Sequence, residues 1–248
     1  MKRMFVTGDT HRFHDISPID EFDRLIGNQL TSNDYLIIVG DFGGIWTGQT
    51  IRGNSFPWEY YASQDMIGFD EEIQDYWEKK PYTILFIDGN HENHDALDLY
   101  PVEEWNGGKV HRIYKNTLHL MRGQVFTING IKCFTMGGAK TTDMDHRKEG
   151  FSWWKREIPS EEEFEEALAN LAKYNYSVDY IFTHCCPESI IRKQDIFFDR
   201  AQSILTRFLD NLITAYHIQY KDWFFGHYHI DEDFGNLHCL FNRVLELN

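Results

Sequence analysis

Tyr35-Leu36-Ile37-Ile38-Val39-Gly40-Asp41 decides how the chain is read. Five consecutive residues are large and apolar or aromatic, four of them aliphatic, with no helical period. Such a run suits a strand buried on both faces of a sheet. It stops at glycine followed by a carboxylate. The same grammar recurs on either side. Met4–Thr7 is an apolar run leading to Gly8-Asp9-Thr10-His11, and Tyr82–Ile87 leads to Asp88-Gly89-Asn90-His91-Glu92. Further on, Tyr180–Thr183 leads to His184, and Trp223–Phe225 to Gly226-His227-Tyr228-His229.

Between these runs lie helical patterns. Pro18–Leu30 carries Phe22, Leu25 and Ile26 on one face, with Ser17 as the predicted N-cap. Asp65–Lys79 has acidic early turns and lysine at its end, matching the helix dipole. Ser160–Lys173 opens with the Ser160/Glu163 spacing of a capping box, and Phe198–Ala215 is predicted helical. Gly43–Tyr61 has no period and reads as a loop. Val110–Ile113, Thr117–Met121, Gln124–Ile128 and Ile131–Met136 read as short strands, the last two joined by an Asn129-Gly130 turn. Leu237–Leu247 reads as one extended stretch. Alternating strands and helices predict an α/β chain, and no repeat or linker divides residues 1–248, so one domain is expected.

Composition narrows the function. Lys and Arg number 24 against 39 Asp and Glu, a net charge of −15 in 248 residues. That balance argues against a sequence-independent grip on nucleic acid or on an anionic membrane, both of which need a basic face. Hydrophobic residues at 42% exclude intrinsic disorder. No window reaches the apolar length of a membrane span, and the start lacks a secretory h-region. Cys133, Cys185, Cys186 and Cys239 form no CxxC pair and read as buried thiols of a reducing compartment, so the cytoplasm is expected.

In sheets with helical crossovers, ligands bind at the carboxyl ends of the strands. Five such ends here carry Asp, His or Asn, and cysteine is missing from the candidate set, which suits a hydrolytic divalent-metal site rather than structural zinc. Asp9, His11, Asp41, Asn90, His184, His227 and His229 supply seven side chains. If Asp41 bridges, each of two ions gains four contacts and keeps room for water and substrate. His227 and His229 point to opposite sides of an extended segment unless the chain bends after Gly226. His14 and His94, just beyond the motifs, are candidate partners of the ligands. His111, His119, His146, His217 and His238 read as structural or surface residues.

Taken in order, Asp9-x-His11, Gly40-Asp41, Gly89-Asn90-His91-Glu92, His184 and Gly226-His227-x-His229 resemble the calcineurin-like metallophosphoesterase superfamily. The motifs run from residue 9 to residue 229. The resemblance implies a four-layer α-β-β-α sandwich and a hydrolase of ester bonds. It implies one ion on Asp9, His11, Asp41 and His229, and a second on Asp41, Asn90, His184 and His227. His91 would stabilise the transferring phosphoryl group and protonate the leaving oxygen, while a metal-bound hydroxide attacks. Mn²⁺ or Fe is expected, with Zn²⁺ or Ni²⁺ as alternatives. The family usually reads Gly-Asp-x-x-Asp with Arg following; Gly44 and Ile45 stand there instead, which argues against a phosphoprotein phosphatase and leaves the orientation of His91 open.

The expected substrate is a phosphomonoester or phosphodiester of a small molecule or nucleotide, with a nuclease and a protein phosphatase behind it. A non-catalytic scaffold is the rival from another class, but a degraded site would have lost ligands and all seven are present. Lys140, Arg147 and Lys148 put three cations in one loop of an acidic chain, and Arg147 is the candidate phosphate contact.

Overall fold

A computed structural model of the chain describes residues 2–46, 64–141, 144–194 and 203–248. The predicted loop therefore lies outside the described residues from 47 onward, as do residues 198–202 of the last predicted helix. In chain order the elements are β1 (Met4–Thr7), α1 (Ser17–Leu25), β2 (Tyr35–Val39), α2 (Gln64–Glu78), β3 (Thr83–Ile87), α3 (His94–Leu97), β4 (Val102–Trp105), β5 (Gly108–Tyr114), β6 (Thr117–Leu120), β7 (Gln124–Ile128) and β8 (Ile131–Met136). They continue with α4 (Glu161–Lys173), β9 (Tyr180–Thr183), α5 (Glu188–Gln194), α6 (Ile204–Thr214), β10 (Asp222–Phe225), β11 (Glu232–Phe234), β12 (Leu237–Cys239) and β13 (Leu245–Leu247).

Two sheets form. One runs β13-β1-β2-β3-β6-β5-β4, the other β11-β12-β10-β9-β8-β7. β1, β2, β3 and β6 pair in parallel, as do β8, β9, β10 and β12. Alternation along each parallel strand sorts its side chains into layers. Phe5, Leu36, Ile38, Ile84 and Phe86 pack with Ile19 and Phe22 of α1 and Ile73 and Trp77 of α2. Met4, Val6, Ile37, Val39, Leu85 and Ile87 turn inward to Phe126, Cys133, Tyr180, Phe182 and Phe224 of the second sheet. Phe134, Ile181, Trp223 and Phe225 face outward onto Ala167 and Leu171 of α4 and Leu205, Leu209 and Leu212 of α6. Helix, sheet, sheet, helix is the four-layer sandwich the resemblance implied.

Local chemistry explains most boundaries. Asn129 and Gly130 both take positive φ (54° and 86°), as a two-residue hairpin turn between β7 and β8 requires. The Ser160 hydroxyl accepts from the Glu163 amide at 3.3 Å while the Glu163 carboxylate accepts from the Ser160 amide at 2.7 Å. The first helix is shorter than predicted. It ends at Leu25, and a 3-10 turn over Gly27–Gln29 follows, because Gly27 and Asn28 are poor helix residues. Ile16, not Ser17, is its N-cap position, and no side chain caps it. Leu237–Leu247 is two strands, not one. β12 lies beside β10 in one sheet and β13 runs antiparallel to β1 in the other, separated by a turn whose Phe241 and Asn242 amides donate to Asp231. All four cysteines are buried and free. Among the described residues no helix is long and apolar enough to cross a membrane.

Candidate metal centre

β1, β2, β3, β9 and β10 deliver their C-terminal ends to one place. The His227 amide donates to Asp9 Oδ1 at 3.0 Å, and His184 Nδ1 lies 2.9 Å from the Val39 carbonyl, so contacts between the two sheets meet there. Glycine is required where backbones approach. A Cβ on Gly89 would lie 2.0 Å from Asp41 Oδ1, and one on Gly40, whose φ is +93°, would lie 2.1 Å from His184 Nδ1.

Asp9, His11, Asp41, His227 and His229 all have positive φ, between 41° and 70°. L-residues adopt this region at a cost of order 1–3 kcal/mol each, and such residues concentrate at functional sites. The segment after Gly226 is therefore bent, not extended. His227 turns towards His184, with ring centroids 5.1 Å apart, and His229 towards His11, at 4.9 Å.

The side chains gather into two groups that share one carboxylate. One ligand atom each from Asp9, His11, Asp41 and His229 lies within 4.8 Å of the others, and the same holds for Asp41, His184 and His227. Asp41 Oδ2 is 3.1 Å from His11 Nε2 and 3.2 Å from His184 Nε2. Surrounding groups fix which atoms face inward. His184 Nδ1 donates to the Val39 carbonyl at 2.9 Å, which turns Nε2 towards Asp41 as the atom able to bind a metal once deprotonated. His11 Nδ1 is 2.9 Å from Asp15, which does the same for that ring. The Asn90 amide nitrogen donates to Thr141 Oγ1 at 3.3 Å, turning its oxygen towards the site. Asn90 Oδ1 is buried with no hydrogen-bond partner. Burying such an atom is costly unless something else binds it. Oxygen and imidazole donors in these positions fit a pair of divalent cations.

The electrostatics agree. Burial opposes charge on His11, yet the Asp41 carboxylate with Asp9 and Asp15 behind it raises that imidazolium to about 9. Burial is likewise outweighed at His184, where Asp41 and Asp9 raise it to about 9. At Asp41 burial is outweighed by His184 and His11, which hold its carboxyl well below the usual range. Burial, helped by repulsion from Asp41, lifts Asp9 to about 7, while burial and the neighbouring His184 push His227 down to about 3. Protons thus stand in for cations on His11 and His184 of the metal-free protein. Competition between protons and metal at these two residues therefore reaches into neutral pH. Taking up metal at pH 7.5 is expected to release about two protons, measurable by calorimetry in buffers of different ionisation enthalpy. The sign for stability follows. Groups raised from 6.5 to about 9 stabilise the fold below 6.5, and that contribution is lost as pH rises through 9. Chelator-treated protein should therefore show a falling Tm from pH 6.5 to 9.5; a flat profile would contradict the pairing of these histidines with Asp41.

His91 stands beside the first group, its ring 5.1 Å from that of His11 and its amide donating to Asp41 Oδ1 at 2.8 Å. Burial lowers its pKa, and the positive charge of Arg147 is among the neighbours that add to this. Among the described residues no carboxylate accepts a hydrogen bond from the His91 ring. The reason lies at Gly44. A Cβ there would sit 2.1 Å from the Phe42 ring, which stacks on Phe86 at 4.3 Å, so an aspartate could enter only by displacing that ring. Glu92 was not assigned a role from the sequence. Its buried carboxylate accepts the Phe42 and Gly43 amides at 2.8 and 3.0 Å and so holds the turn carrying Asp41; its place in Gly89-Asn90-His91-Glu92 was the available signal. His94 is buried with its ring 6.4 Å from that of Trp154, and His14 lines a cleft beside His11. The His146 side chain is outside the described residues.

The family model of calcineurin-like phosphoesterases matches residues 2–231. The chain belongs to the calcineurin-like phosphoesterase family. The lariat debranching enzyme of Saccharomyces cerevisiae is 28% identical over 174 residues, covering 66% of this chain and 40% of that protein. The Schizosaccharomyces pombe lariat debranching enzyme is 22% identical over 231 residues, covering 83% of this chain and 47% of that protein. The chain therefore spans less than half the length of these two curated relatives. A protein of unknown function from Aquifex aeolicus is similar at a TM-score of 0.32 and 14% identity, over 75% of this chain and 81% of that one.

Proposed function

We propose that this phosphoesterase is one catalytic domain that hydrolyses the ester of a small phosphorylated molecule or nucleotide at a dinuclear centre. The observation that carries the proposal is the pair of ligand groups sharing Asp41, together with the buried, unpartnered Oδ1 of Asn90. Asp9, His11, Asp41 and His229 would hold one ion, and Asp41, Asn90, His184 and His227 the other. Mn²⁺ or Fe is the proposed pair, with Zn²⁺ or Ni²⁺ as alternatives; a donor set of carboxylate, amide and imidazole accommodates each of them. Two such ions supply Lewis acidity and a water made nucleophilic near neutral pH.

The chain's own residues do the rest. Asp15 and the Val39 carbonyl orient His11 and His184, and Glu92 fixes the Asp41 turn. His91 faces the phosphoryl group and donates a proton to the leaving oxygen. Arg147, whose guanidinium also donates to the Ser152 carbonyl at 3.2 Å, brings positive charge to the same side and contacts a phosphate oxygen. Buried free thiols support a reducing compartment such as the cytoplasm. The debranching relatives support a second reading, in which the ester belongs to RNA.

The test is hydrolysis of phosphomonoesters and phosphodiesters, each with a nitrophenyl and with an alkyl leaving group, by Mn²⁺-loaded protein, repeated with His91→Gln. General-acid catalysis contributes about 10²–10⁴-fold. The variant should lose about a hundredfold in kcat on alkyl esters and much less on nitrophenyl esters, whose leaving group needs no proton. An equal loss on both would remove the proton from His91. Metal binding without hydrolysis of any ester would favour a scaffold.

A further inference from the structure

A cleft of about 370 Å³ opens beside His11 and His91, and its far wall carries Arg12, Phe13 and Trp46. That size lies at the lower end for small-ligand sites. Carbon, not polar atoms, makes up most of its surface. Trp46 is held in place from several sides. Its amide donates to Asp70 at 3.3 Å, its carbonyl accepts from the Asn93 side chain, and its indole meets Trp154 edge-on at 5.7 Å. Asn93 is itself fixed as the cap of α3, accepting the Ala96 amide at 3.1 Å. The Arg12 guanidinium pairs with Asp70 and lies 5.9 Å from the Trp46 ring centroid. Phe13 stays 36% exposed at the rim.

An anchored indole, a rim phenyl and a guanidinium form a stacking wall rather than a phosphate cradle. A bare alkyl alcohol would gain little from it. A heteroaromatic base gains from both the ring faces and the nearby cation, and stacking on an aromatic side chain is sequence-tolerant. Position matters as well. On the phosphoesterase reading above, on which this step rests, His91 faces the leaving oxygen, so the group beyond that oxygen extends into this cleft. We infer that the cleft is a base subsite: it takes the nucleobase of a nucleoside phosphate ester, stacked on Trp46, and makes Trp46 a specificity-determining residue.

The test compares two ligands that differ only in the base. These are the methylenephosphonate analogues of AMP and of ribose 5-phosphate, whose P–C bond the enzyme does not cleave, titrated calorimetrically into Mn²⁺-loaded protein. Wild type should bind the adenosine compound at least about tenfold more tightly. Trp46→Ala should shrink that preference below about threefold while the ribose compound keeps its affinity within twofold, and Trp46→Phe should retain most of the preference. Equal affinities in wild type, an unchanged preference in Trp46→Ala, or binding of neither compound would overturn the inference. The two readings fail separately. Chromogenic ester hydrolysis without a base preference would spare the phosphoesterase reading alone, and a Trp46-dependent preference without hydrolysis would spare the subsite alone.

Discussion

Asp41→Asn is expected to lower kcat/KM about a thousandfold or more in Mn²⁺-loaded protein, equivalent to roughly 4 kcal/mol of transition-state stabilisation. The residue is the common member of both ligand groups, so its loss weakens two sites together. It also anchors the loop after β3 by accepting the His91 amide at 2.8 Å. Asparagine keeps the shape and one acceptor oxygen but gives up the charge that holds His11 and His184 protonated in the metal-free state. The measurement pairs kcat/KM with metal content per chain and with Tm after chelation. Fewer than two ions at an intact Tm would locate the defect in ligation. Full activity with two bound ions would show that Asp41 does not bridge.

Arg122→Met carries the largest expected cost in stability. Arg122 is 4% exposed and its guanidinium donates to Asp88 Oδ2 at 2.9 and 2.5 Å and to the Arg156 carbonyl at 2.7 Å. His119 reaches the other Asp88 oxygen at 3.1 Å. Asp88 directly precedes Gly89-Asn90-His91, so this pair holds the loop that supplies two of the proposed site residues. Burial opposes the Asp88 charge, yet Arg122 and His119 keep its carboxyl well below the usual range. Removing one partner of a buried ion pair strands the other, at a cost of about 3–5 kcal/mol. Denaturant unfolding should show a loss of that size for Arg122→Met, and less for the double variant Asp88→Asn with Arg122→Met, which leaves no stranded charge. A single variant within about 1 kcal/mol of wild type would mean that His119 and its surroundings suffice. The depressed carboxyl also sets a sign: this contribution is present above the ordinary carboxylate pKa and is lost as pH falls through the lower, folded value.

The parallel strands were legible because burial on both faces demands unbroken apolar runs, as Tyr35–Val39 and Thr83–Ile87 show. Their polar ends were legible because strand ends are where such sheets bind ligands. Other features had no local signature. β4 carries Glu103 and Glu104 at the edge of its sheet, where pairing with β5 overrides poor strand propensity. The division of Leu237–Leu247 depends on which sheet each half meets, a fact of tertiary structure alone. Asp15 and Thr141 orient ligands from outside every motif, and their roles exist only as distances. Gly44 was visible as a departure, but the ring of Phe42 that accounts for it was not.

Asp9 accepts the amide of His227, 218 positions away, and β1 pairs with β13 at the opposite end of the described chain. Contacts so distant along the backbone form late, because each must close a very long loop. The centre is therefore a clasp on the whole topology. A chain interrupted between Asp41 and His184 holds only part of either ligand group, so hydrolytic competence arrives with the finished fold. Cations held there would report that folding is complete, and chelation would act on the seam where β1 meets the segment after β10.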